Sequence, residues 1–181
     1  HAVSLRTFAH IMAAEASHAL QDKDKRQTHL EQALAQTRSQ GSPGPERHAL
    51  AEGVQLRAAR WWLDDRDAQA CLALLNALPP AVGRRTAAMR LQLKAARLAG
   101  QPAQALETAT LLAKHRAFSP LAAQSLVSRL ILELLDQTHD TGALQSVWKS
   151  LTPNQRLMPE VAAQAVMRWL QLGGASQTAR Q

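Results

Sequence analysis

With 181 residues, 46% of them hydrophobic, the chain can bury one continuous core but does not require two unrelated domains. Ala, Leu, Gln and Arg dominate, tyrosine is absent and Ile and Val are sparse, which argues against a sheet protein and predicts an all-α fold. The formal charge of +7 permits an acidic protein partner, nucleic acid or an anionic membrane surface. A single cysteine excludes an internal disulfide or a multi-cysteine zinc cluster, and no apolar run reaches the roughly 18 residues that cross a bilayer.

In chain order, Leu5 to Leu20 is a predicted helix carrying Phe8, Ile11, Ala14 and Leu20, and a polar turn leads from it into a second helix, Arg26 to Arg38. The loop Ser39-Gln-Gly-Ser-Pro-Gly-Pro45 separates this hairpin from the next. Glu46 to Leu63 then carries Trp61 and Trp62, and Asp64-Asp-Arg-Asp67 caps a helix that runs to Leu78 and stops at Pro79 and Pro80. Arg85 to Ala99 ends at Gly100, and Pro102 opens an Ala/Leu-rich partner. Ser119 followed by Pro120 marks the start of the most apolar helix, which bears Leu126, Leu130, Ile131, Leu134 and Leu135 and reads as a buried central element. Thr141 to Leu151 follows it, and Pro159 opens a helix expected to end at Gly173, with Ala175 to Gln181 as half of a last hairpin. Both ends of the chain look cut.

Small residues recur where paired helices must touch. Ala105 lies five residues after Gly100, Ala70 five after Asp65, and Ala179 five after Gly174, with Ala143 between the last two. The first hairpin is offset by 44, with Arg26, Leu30 and Ala33 as its counterparts. A period of roughly 34 to 40 residues predicts a right-handed superhelical array of antiparallel helix hairpins, a solenoid like that of tetratricopeptide repeats. The hairpins fall at 2–38, 46–80, 84–116, 119–151 and 158–181, within one helical-repeat domain spanning 1–181.

Chemistry is sparse. The chain contains no phosphate-binding glycine loop, no nucleophile elbow and no paired-histidine zinc motif, so it is read as non-enzymatic, with no catalytic residue, metal or other cofactor assigned. Glu15 and His18 have a metal-ligand spacing on one helix face, but no second copy faces them, and His10, His29, His48, His115 and His139 fall on different elements. Trp61, Trp148 and Trp169 are expected in the core, whereas Trp62, about 100° round the helix from Trp61, would turn toward a concave groove. Arg90, Lys94 and Arg97 recur at i, i+4 and i+7 as one basic stripe on an inner helix. The plain reading of the stripe is a solvated face, and the functional one is a strip that binds acidic peptide segments or carboxylated ligands.

Several stretches resemble the HemY family of proteobacteria. They are Leu112-Ala-Lys-His-Arg-Ala-Phe-Ser119, Ala143-Leu-Gln-Ser-Val-Trp-Lys-Ser-Leu151, Pro159-Glu-Val-Ala-Ala-Gln-Ala and the closing Leu-Gly-Gly-Ala. The resemblance covers the last 90 or so residues well and the front half loosely. It implies a tetratricopeptide-repeat domain of an inner-membrane protein associated with haem and porphyrin biosynthesis, anchored by segments outside this chain. Porphyrin-pathway enzymes would then be its partners. A cytoplasmic placement is the expectation, which the residues themselves do not decide. The expected function is a scaffold for protein–protein interaction. The alternatives are a carrier that binds haem or porphyrin directly and, less favoured for want of stacking aromatics, a nucleic-acid-binding repeat.

Overall fold

The structure is a computed structural model that describes residues 2–38 and 45–178, with side chains over 4–37 and 48–173. Among the described residues it is helix and turn throughout, as expected of an all-α chain. The elements are α1 (Ala2–Ala19), α2 (Lys23–Arg38), α3 (Pro45–Asp64), α4 (Ala68–Asn76), the single turn α5 (Pro80–Gly83), α6 (Thr86–Leu98), α7 (Pro102–Lys114), α8 (Pro120–Asp136), α9 (Thr141–Ser150), the single turn α10 (Pro153–Arg156) and α11 (Pro159–Thr178). They form two compact units, His1–Leu98 and Ala99–Gln181, whose boundary falls inside the 84–116 stretch read from the sequence as one hairpin. In the first unit α1 packs along α2, α2 and α4 pack on α3, and α6 packs on α3, α4 and α5. In the second, α7 packs on α8, and α11 packs on α8, α9 and α10.

Short polar side chains start these helices. The Asp67 carboxylate accepts the Ala70 N–H at 3.0 Å, Asp140 accepts from Ala143 at 2.7 Å, and the Ser119 hydroxyl accepts from Ala122 at 3.3 Å with Pro120 at the first helical position. Left-handed residues end several of them: Gln21 (φ 58°), Arg66 (φ 62°), Gly100 (φ 66°) and Arg116 (φ 56°). At three of these ends the next N–H reaches back five residues, from Asp22 to Ser17 at 2.9 Å, Asp67 to Trp62 at 2.8 Å and Ala117 to Leu112 at 2.9 Å. Carbonyls that the helix leaves unpaired are satisfied in this way.

These turns correct the register. Arg66, not Asp65, is the counterpart of Gly100, so those turns lie 34 residues apart rather than 35. Counted from the cap residues Asp22, Asp67, Gln101 and Asp140, the fourth residue on is Arg26, Cys71, Ala105 and Leu144, and none is more than 4% exposed. The eleventh is Ala33, Leu78, Leu112 and Leu151, again all buried. Ala70 and Ala143, named from sequence, sit one residue off this seam and are only half-buried. Ala179 lies outside the described residues. The final helix continues through Gly173 and Gly174 to Thr178, where the sequence placed an end at Gly173.

The first core comprises Ala14, Leu30, Ala33, Val54, Ala58 and Trp61, with Ile11, Leu34 and Leu74 against it. In the second unit Leu112, Leu130, Ile131, Leu135, Leu144 and Val161 are fully buried, so α8 is the apolar centre its composition predicted. Trp169 is not in the core. Val161, Ala165, Arg168 and Leu172 form the inward seam of α11, and Trp169, one residue past Arg168, remains 45% exposed. Trp148 is half-buried beneath the Arg156 guanidinium, 5.9 Å from the ring centre.

Candidate functional site

Helix α6 has two dissimilar sides. Ala88, Met89, Leu93, Ala95 and Ala96 are buried, while Arg90, Lys94 and Arg97 are all exposed and lie within an arc of about 60° at 100° per residue. Between Asp67 and Glu107 the chain contains five basic residues, Arg84, Arg85, Arg90, Lys94 and Arg97, and no acidic one. Arg85 is committed to Glu52 at 3.2 Å. Leu98, 42% exposed, lies beside the basic arc and adds an apolar margin to it.

The fourth residue assigned from sequence, Trp62, sits on α3 in a different setting. It is half-buried, with the Arg26 guanidinium 5.3 Å above its ring centre, so the chain itself occupies one face of the indole. Arg26 is nearly enclosed, and it donates to Asp65 at 2.6 Å and to His18 Nδ1 at 2.7 Å. Because a guanidinium only donates, His18 Nδ1 must accept, and the ring proton sits on Nε2, 3.5 Å from Asp64. The Arg26 hydrogen bond holds the Asp65 carboxyl below the ordinary aspartate range, against an opposing effect of burial. Neighbouring Trp61 is buried as expected and donates its indole N–H to Glu15 at 2.9 Å, which also receives Arg57 at 3.0 Å.

Glu15 and His18 therefore have separate partners, and among the described residues no group of three or more His, Cys, Asp or Glu can hold a metal. Cys71 is a buried small residue, its thiol pushed up to about 11 by burial and by the charge of Asp67. In the second unit an open groove of ≈ 380 Å³ between α8 and α11 is lined by Leu121, Ser125, Ser128, Arg129, Leu132 and Glu160, among others. There the Ser128 hydroxyl donates to Glu160 at 2.7 Å, and Glu160's own backbone N–H and this hydroxyl keep its carboxyl low.

Sequence reasoning located the stripe but missed the Arg26–Asp65 pair. A signal for it existed: an arginine stands at the position where other hairpins carry Cys71 and Ala105. It also missed that α1 and α2 bring His10 and His29 together, their ring centres 6.0 Å apart. No known family model, curated protein or solved structure matches the chain.

Proposed function

We propose that this chain is a non-enzymatic helical-repeat scaffold that binds an acidic segment of a protein partner along the outward face of α6. The observation that carries the reading is the exposure of Arg90, Lys94 and Arg97 on one face of a helix whose neighbouring sequence has no acidic residue. Cations so arranged attract and orient carboxylates, and their charge speeds encounter with an acidic partner. A solenoid arrangement of hairpins is supported by the recurrence of buried positions four and eleven residues after successive helix caps. The resemblance to HemY makes enzymes of porphyrin or haem synthesis at the inner membrane the partners to seek, although no described helix is long and apolar enough to cross a membrane.

Crosslinking and capture from membranes that contain the intact protein should recover such a partner with the parent sequence. Recovery should fall sharply when Arg90, Lys94 and Arg97 are all changed to Gln. Undiminished recovery by the triple variant would overturn the reading. Titration with haem, followed by visible absorption, distinguishes the scaffold from a direct porphyrin carrier in which the same cations would hold the propionates. The scaffold reading expects no stoichiometric binding.

A further inference from the structure

A second binding chemistry lies on the opposite end of the first unit, in sequence terms, from α6. His10 on α1 and His29 on α2 are both half-buried, and their ring centres are 6.0 Å apart with ring planes inclined by 32°. The two helices that carry them pack along each other, so the pair is set by backbone rather than by flexible loops. His29 Nδ1 lies 3.3 Å from the Gln32 side-chain oxygen. With an amide oxygen as acceptor, Nδ1 carries the ring proton and the lone pair is left on Nε2. Histidines that bind metals are oriented in this manner, by a hydrogen bond from the nitrogen that does not ligate.

We propose that His10 and His29 form a two-imidazole site for Zn²⁺ or Cu²⁺, with water completing the coordination. At a metal–nitrogen bond of about 2.0 Å, a metal sits about 3.2 Å from each ring centre, so two ligating rings have centres about 5.2 Å apart at a tetrahedral angle and about 6.4 Å apart when opposed. The observed 6.0 Å falls between these limits. Imidazole suits both ions, and two protein ligands leave positions open to solvent or to a ligand from a partner.

The test uses the full chain, stripped of metal, in a His1→Ala background so that the terminal imidazole does not compete. Zinc is titrated alone while histidine ring signals are followed by NMR and the melting temperature is recorded. His10 and His29 signals should shift together at one equivalent, and the melting temperature should rise because metal binds the folded hairpin. His10→Gln or His29→Gln should each weaken binding about tenfold or more, and Gln32→Ala several-fold, whereas His139→Gln leaves it unchanged. Ring signals that respond independently, or single variants that bind zinc as tightly as the parent, would mean adventitious imidazole binding and overturn the proposal.

Discussion

The two units each bring an arginine in from solvent, and they satisfy it differently. In the first, Arg26 meets a carboxylate, Asp65, and an imidazole, His18. In the second, half-buried Arg168 on α11 meets backbone carbonyls at the end of α8, bonding Thr138 O and, at 3.3 Å, Asp136 O, and donates to Gln171 on its own helix at 3.0 Å, while its Nε is buried with no partner among the described residues. The difference follows from how the neighbouring helices end. At the ends of α1 and α3, left-handed Gln21 and Arg66 allow the following N–H groups to take up the carbonyls, so an incoming guanidinium needs a side-chain acceptor. Helix α8 has no such residue directly after it; Gln137 and Thr138 take up the Glu133 and Leu135 carbonyls, and those of Asp136 and Thr138 are left for Arg168. An ion pair of the first kind is titratable, whereas an arginine on carbonyls is not.

The largest expected effect is therefore at Arg26. Arg26→Ala leaves the half-buried Asp65 carboxylate with only Lys23, at 4.0 Å, as a cationic side-chain neighbour and should cost about 3 kcal/mol in denaturant unfolding, the low end for breaking a buried pair. Arg168→Ala should cost about 1.5 to 3 kcal/mol, the range for hydrogen bonds to a charged group. Replacing both partners, as in Arg26→Leu with Asp65→Leu, should recover much of the first loss. Acid sharpens the contrast. Asp65 has a depressed folded pKa, so its contribution is complete above the unfolded value of about 3.9 and is lost as pH falls through the folded value. Unfolding followed from pH 7 down to about pH 2 should show the cost of Arg26→Ala shrinking as pH falls below about 3.9, and Arg168→Ala keeping its own. Equal pH response in the two variants would contradict the assignment of partners.

Next in size is the repeat register. Cys71→Leu and Ala105→Leu should each cost about 1 to 3 kcal/mol by overpacking, while Ala70→Leu, one residue off the seam, should stay within about 0.5 kcal/mol. The same contrast has a chemical readout. Buried Cys71, with its thiol near 11, should resist thiol reagents at pH 8 in the folded protein, and a cysteine placed at Ala70 in a Cys71→Ala background should react faster. A smaller effect than overpacking is expected at the turns: Arg66→Gly should stabilise by about 0.5 to 1 kcal/mol, because its φ of 62° strains any residue with a Cβ.

Much of the fold was legible because helix signals are local. Ser119 and Pro120, Asp67, Gly100 and the Leu-rich run of α8 each announce an element without reference to anything distant. The register was legible only to within one residue, because the sequence marks a left-handed turn when glycine occupies it and is silent when Arg66 or Gln21 does. Gly173 and Gly174 misled in the opposite direction, since helix α11 runs through them. For the candidate site, the spacing of Arg90, Lys94 and Arg97 declared a common face, which is a property of one helix. The environment of Trp62 depends on Arg26 from another helix, and the pairing of His10 with His29 depends on how α1 and α2 are aligned. Contacts of that kind have no local signature.

On the proposed function, the outward face of α6 recognises acidic partners and contributes little to the fold. The most direct measurement is the affinity for poly-L-glutamate at several salt concentrations, for the parent chain and for the variant with Arg90, Lys94 and Arg97 all changed to Glu, alongside their melting temperatures. Exposed charges add little to stability, and their interactions with a ligand are screened over about 8 to 10 Å at physiological salt. Nearly equal melting temperatures are expected, with measurable salt-sensitive binding by the parent and loss of that binding in the reversed variant. Parent and variant that bind alike, with the same salt response, would contradict it.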